Sequence, residues 1–163
     1  MEQTIYLAGG CFWGLQAYFK KVKGVISTTV GYGNGNTAFP KYEDLKHGKA
    51  THAETLKLVY DDTIVNLDKF LELFLRVVDP YSVNKQGEDE GLQYRSGVYY
   101  TNMMDGIVAD AFFTHHLKPG WKIEIKQMNN FYPAEEYHQD YLDKNPGGYC
   151  HIDLNVLKPS EKK

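Results

Sequence analysis

Two kinds of apolar pattern alternate along most of the chain: short, partly β-branched runs and longer stretches at helical spacing. Thr4–Ala8 belongs to the first kind and predicts a strand, after which Gly9-Gly10 turns the chain. Phe12, Leu15, Phe19 and Val22 then recur on one face of a predicted helix. Val25–Tyr32 predicts a second strand, closed by Gly33-Asn34-Gly35, and His52–Tyr60 alternates as a third. Leu67–Val78 puts Leu67, Phe70, Leu71, Phe74 and Val78 on one face, an amphipathic helix that stops before Asp79-Pro80. A strand over Gln93–Tyr100, a helix over Ile107–Leu117 and a strand over Trp121–Gln127 follow. Pro133 then opens a predicted helix over Ala134–Leu142, and the turn-rich Asn145–Cys150 comes after it.

The order strand, helix, strand, strand, helix, strand is that of the split βαβ, ferredoxin-like arrangement. The expected class is therefore α+β, one sheet with helices packed on it and an extension at the C-terminal end. A chain of 163 residues fits a single domain with a real core, residues 154–163 reading as a tail or linker.

A formal net charge of −3 gives no electrostatic reason to expect nucleic-acid binding. No apolar run approaches the roughly 20 residues of a membrane span. Ile5–Leu15 is broken by the two glycines and lacks the basic flank of a signal peptide. A cytoplasmic setting is expected, where thiols stay mostly reduced. Only Cys11 and Cys150 are present, with no Cys-x-x-Cys, and the six histidines are scattered, so neither a zinc site nor any other metal or cofactor is expected.

Cys11 lies where a strand hands over to a helix. Unpaired N–H groups and the positive end of the helix dipole gather there, which predicts a thiolate stabilised below the ordinary thiol pKa of about 8.5. Phe12 and Trp13 point about 100° apart on the helix, so both rings cannot enter one core face. One of them is expected beside the sulfur. Glu54 shares a strand face with His52, Leu56 and Leu58, an apolar setting for a carboxyl. On these residues alone three interpretations stay open: a thiol-dependent reductase, a cysteine hydrolase pairing Cys11 with His52 or His138, and a structural or redox-sensing cysteine pair.

Five spaced motifs bear on that choice. Gly10-Cys11-Phe12-Trp13-Gly14 resembles the signature of the A-type peptide-methionine sulfoxide reductases. Thr51-His52-Ala53-Glu54 is similar to that family's Gly-His-Ala-Glu, with Thr in the place of Gly. Gln86–Ser96 is similar to its Gln-Gly-Asn-Asp-x-Gly-x-Gln-Tyr-Arg-Ser, with Glu88 in the place of Asn. Ala134–Gln139 with Tyr141, and Asn145-Pro146 with Gly148-Tyr149-Cys150, supply the remaining two.

The resemblance implies that Cys11 is the nucleophile and Glu54 the acid that helps protonate the sulfoxide oxygen. It implies that Tyr42 and Tyr94 hydrogen-bond that oxygen and that Asp89 shapes the polar side of the pocket. Phe12 and Trp13 would hold the substrate methyl, and Cys150 would resolve a Cys11 sulfenic acid into a disulfide that thioredoxin reduces. The implied enzyme is a monomer acting on the S epimer, free or in oxidised proteins, with no nucleic acid or membrane partner.

Overall fold

The computed structural model describes residues 1–163. Its main sheet begins with β1 (Glu2–Ala8), followed by α1 (Phe12–Phe19), β2 (Val25–Gly33), the short α2 (Tyr42–Lys46), β3 (Ala53–Asp61) and α3 (Leu67–Leu75). A hairpin of two-residue strands, β4 (Lys85–Gln86) and β5 (Asp89–Glu90), precedes β6 (Gly97–Tyr100), α4 (Met103–His116), β7 (Glu124–Gln127), β8 (Phe131–Pro133) and α5 (Tyr141–Lys144). The six long-range strands are ordered β7-β6-β1-β3-β2-β8. The central four are the antiparallel ferredoxin-like sheet expected from the element order. β7 extends it in parallel beside β6, with α4 as the crossover, and β8 closes the other edge against β2.

The alternation of β1 and β3 sends Ile5, Leu7, Leu56 and Leu58 into a core shared with α1 and α3. Asn66 caps α3, accepting the Lys69 amide at 2.9 Å, and the helix buries Leu67, Phe70, Leu71, Leu73 and Phe74. α1 is buried nearly all round, including Gly14, Gln16 and Ala17, because the sheet covers one side and the C-terminal segment the other. That second cover is what the helical pattern of Phe12, Leu15 and Phe19 did not contain.

Several boundaries differ from expectation for local reasons. Gln93–Arg95 does not begin a strand, since Leu92–Tyr94 forms a single 3₁₀ turn and pairing starts at Gly97. The predicted helix over Ala134–Leu142 is split into a 3₁₀ turn at Glu136–His138 and α5, with Asp140 left-handed between them at φ 53°. Residues 154–163 are docked rather than trailing. Leu157 is buried, and the Lys23 and Lys163 amides bond the Glu161 and Lys21 carbonyls at 2.8 and 3.0 Å.

Glu161 is the anchor of that docking. Its carboxylate accepts from Arg76 at 2.7 and 3.0 Å and from the Lys158 amide at 2.7 Å, and it pairs with Lys69. Hydrogen bonds from Arg76 hold its pKa far below the usual carboxylate range, against the opposing effect of burial. Glu161→Gln is expected to lower unfolding free energy by roughly 1–3 kcal/mol near pH 7, read from urea denaturation. A depressed pKa contributes stability above the unfolded value and loses it as pH falls toward the folded one. The gap between wild type and variant should therefore close below about pH 4.5.

Candidate active site

β1 ends in Gly9-Gly10, and Gly10 takes φ 77° while its amide bonds the Tyr94 carbonyl at 3.1 Å. This turn sets Cys11 at the N-cap of α1 in extended backbone, without a side-chain cap bond. The helix-end amides are divided between groups. Phe12 N–H donates to Glu54 Oε1 at 3.2 Å, and the Trp13 amide faces the Cys11 sulfur. The Cys11 amide faces the carboxylate of Asp89, carried by the β4–β5 hairpin.

Glu54 is the second residue of β3, opposite Tyr32 of β2, with 1 % of its surface exposed. No cation pairs with it. Burial pushes its pKa up to about 8, the Phe12 amide opposes this, and the charge of Asp89 adds to it. The carboxyl is therefore mostly protonated at neutral pH. Tyr42, at the start of α2, and Tyr94, in the 3₁₀ turn, close the polar side. Burial raises both hydroxyls, Tyr42 to about 12, and the charges of Glu54 and Cys11 raise them further. The Tyr94 hydroxyl beside Tyr42 pulls the latter back.

The structure thus brings Cys11, Glu54, Tyr42, Tyr94 and Asp89 into one electrostatic neighbourhood. Phe12 and Trp13 have different places. Phe12 is fully buried between Tyr32 and His138, at centroid distances of 5.9 and 5.3 Å. Trp13 stays half-buried at the helix mouth, stacked on Tyr141 at 3.7 Å, its indole N–H donating to His138 Nδ1 at 3.0 Å. Cys150 Sγ lies over Gly14, where a Cβ would stand 2.9 Å from it, and both cysteines are free.

The expected depressed pKa of Cys11 is not what the surroundings give. The sulfur is buried, and Glu54 and Asp89 oppose a thiolate once they are ionised, so burial first and Glu54 next raise the thiol well above its ordinary value. The helix-end Trp13 amide opposes them without prevailing. At rest the group is a thiol. A Cys11–histidine pair is likewise missing: His138 is engaged by Trp13, and His52 packs on Tyr132 at 5.9 Å with neither ring nitrogen bonded.

Supporting residues escaped the sequence reasoning. Glu135 accepts from the Tyr32 hydroxyl at 2.6 Å and from the Tyr42 amide at 3.2 Å, tying α2 to the sheet. Gln86, almost fully buried, bonds Asp79 from both ends and Ser96 at 3.0 Å, fixing the hairpin that carries Asp89. Both residues fall inside motifs already marked, but only a fold shows what they hold.

Iodoacetamide labelling of Cys11, followed by mass spectrometry across pH, checks the thiol assignment. Labelling should be slow at pH 7 and climb with a midpoint above about 8.5, the free-thiol value. Glu54→Gln removes a negative neighbour and should move that midpoint down. A wild-type midpoint below that of a free thiol would contradict the assignment.

Comparison with known proteins agrees with this geometry. Residues 3–163 match the family model described as peptide methionine sulfoxide reductase. The peptide methionine sulfoxide reductase MsrA of Lachnoclostridium phytofermentans is 52% identical over 93% of both chains. That of Ureaplasma urealyticum is 47% identical over 97% of this chain and 98% of its own. Among solved structures, reduced Mxr1 from Saccharomyces cerevisiae superposes with a TM-score of 0.86 at 34% identity, covering 96% of this chain and 92% of that one. With the family model matched over nearly its whole length, this chain belongs to the peptide methionine sulfoxide reductases and is an oxidoreductase acting on methionine sulfoxide.

Proposed function

We propose that this enzyme reduces the S epimer of methionine sulfoxide through a Cys11 sulfenic acid, and that Cys150 converts this to a disulfide which thioredoxin reopens. The observation that carries the proposal is a neutral, buried Glu54 bonded to the amide next to Cys11. A sulfoxide sulfur resists a nucleophile until its oxygen is protonated. Glu54 delivers that proton, and the Tyr42 and Tyr94 hydroxyls take up the developing charge. The positive sulfur of the bound sulfoxide offsets the burial that holds Cys11 as a thiol. The sulfur of Cys11 then attacks the substrate sulfur, the thiol proton and the protonated oxygen leave together as water, and an S–S bond forms. Water next attacks the Cys11 sulfur, that S–S bond breaks, and methionine leaves with Cys11 as Cys11–SOH.

Epimer choice follows from a divided pocket. Trp13 gives an accessible apolar face suited to the methyl, with Phe12 fully buried among Tyr32 and His138 rather than open to the substrate, while the tyrosines hold the oxygen. Inverting the sulfur exchanges those two groups. Recycling follows from oxidation-state chemistry, since a second thiol condenses with a sulfenic acid to a disulfide. Cys150 is half-buried, so a disulfide there stays within reach of an external dithiol.

Single-turnover assays with separated epimers test the scheme. Cys11→Ser should release no methionine from either epimer, and wild type should act on the S epimer alone. Glu54→Gln should slow methionine formation by about 10²–10⁴-fold, the usual worth of a general acid. In wild type the acid works when protonated, so the rate should hold below pH 8 and fall as pH rises through about 8. An unchanged rate in the Gln variant would move proton delivery to Tyr42 or Tyr94. Cys150→Ser should convert about one equivalent and stall with thioredoxin as sole reductant, a small dithiol partly restoring turnover. Continued turnover with thioredoxin would remove Cys150 from the scheme.

A further inference from the structure

Cys150 is carried by a segment of turns and bends, and its own thiol bonds only to the nearby Ile152 carbonyl at 3.3 Å. Ile152 is buried against Gly14 and the Tyr149 hydroxyl faces Asp89, but the most enclosed contact beside Cys11 belongs to the residue directly after Cys150. The His151 side chain is 4% exposed and fills a slot beneath the turn that presents Cys11. Two glycines make that slot. A Cβ on Gly10 would stand 2.6 Å from Cε1 and 2.7 Å from Nε2 of the ring, and one on Gly87 would stand 3.2 Å from the histidine's own Cβ. The third wall is Asp89, whose Oδ2 faces His151 Nδ1 at 3.7 Å. Neither of these facing atoms has a hydrogen-bond partner.

The neighbours on either side of Cys11 complete the picture. His151 packs on Gly10, and Cys150 Sγ packs on Gly14. Consecutive residues of the C-terminal segment therefore straddle the N-terminus of α1, one anchored in the slot and the other presenting the thiol. With Gly147 and Gly148 just before it and the ring gone, the thiol would have more positions to occupy even while Ile152 stays buried.

We propose that His151 is a positioning residue for disulfide formation: its ring, seated between Gly10 and Gly87 against Asp89, latches the resolving segment and holds Cys150 at high effective concentration next to Cys11. The inference rests on Cys150 being the resolving cysteine. In the step it serves, the Cys150 sulfur attacks the sulfur of Cys11–SOH. An S–S bond forms, the S–O bond breaks, and hydroxide leaves with the thiol proton as water. The sulfoxide already consumed is the only oxidant. Orientation can be worth orders of magnitude in such a unimolecular step, and a misplacement of about 1 Å can cost 10²-fold.

The experiment follows two signals after mixing reduced enzyme with the sulfoxide: methionine released, and free thiols lost to the Cys11–Cys150 disulfide. His151→Ala should leave the methionine burst within about twofold of wild type while slowing disulfide formation at least about tenfold. Thioredoxin-driven kcat should fall with the disulfide rate, and turnover with a small dithiol should not. In a Cys150→Ser background the same substitution should change nothing further, which a general structural role cannot reproduce. His151→Gln, which fills the slot and keeps a polar group toward Asp89, should restore most of the rate. An unchanged disulfide rate in His151→Ala, or a parallel loss of burst and disulfide, overturns the latch. A wild-type enzyme that releases methionine but never forms the disulfide refutes the role of Cys150 itself, a separate and recognisable result.

Discussion

A carboxyl group sealed inside a protein has to be paired with a cation or stay neutral, and Glu54 has no cation beside it. What it has is the Phe12 amide, one of the unpaired donors at the start of α1. This single contact ties β3 to the mouth of α1 and fixes the carboxyl relative to Cys11, while burial, against the pull of the amide, keeps it protonated over the neutral range. The sheet's central pairing β1–β3, the Gly9-Gly10 turn and the N-terminus of α1 all meet at it. Because the amide is occupied by Glu54, the helix end has less to offer the sulfur. In the proposed scheme the site therefore holds a ready acid and a reluctant nucleophile, and charge from the substrate has to shift the balance.

That arrangement has a consequence for selectivity between reactants. A thiolate stabilised at rest would be open to alkylation and oxidation by any electrophile that entered. A thiol held protonated chiefly by burial, with Asp89 adding to it, is protected until a group with positive sulfur and an acceptor oxygen arrives together. The supporting contacts keep that two-part test geometrically strict. Glu135 pins Tyr42 from behind, Gln86 pins the hairpin of Asp89, and His138 pins Trp13.

Apolar, partly β-branched runs made the central strands legible and a period of 3.6 made α3 so, although β2, β3 and β6 are buried on both faces where they approach the site. Parts whose shape depends on other parts were not. Glu136–Lys144 has helical composition, yet the Asp140 amide bonds the Gln16 side chain at 2.8 Å and the backbone turns left-handed there. β8 is three residues that become a strand only because β2 offers an edge. In the site, Cys11 and Glu54 stood out through a glycine turn and a carboxyl on an apolar face, whereas Tyr42 and Tyr94 carried no local mark and entered through the motif resemblance alone. The pKa of Cys11 was misjudged from helix position, since desolvation and two carboxylates from distant segments outweigh a helix terminus worth about 0.3–1 kcal/mol when exposed.

The C-terminal segment shows why residues with little secondary structure can still be positioned. It is fastened at two points of different character. Glu161 binds charged side chains of α3, and its partners are satisfied, so that end is a permanent seam. The end around Cys150–Ile152 rests on packing against glycines and on an unbonded approach of His151 to Asp89, which holds shape without a strong bond. A resolving thiol has conflicting requirements: it must wait close to the nucleophile, admit a bulky oxidised side chain, and then move to form a bond of about 2 Å. If Cys150 is the resolving thiol as proposed, a seam at one end and a weaker seat at the other suit these together, because the seam would keep the segment on the domain while the seat gave way.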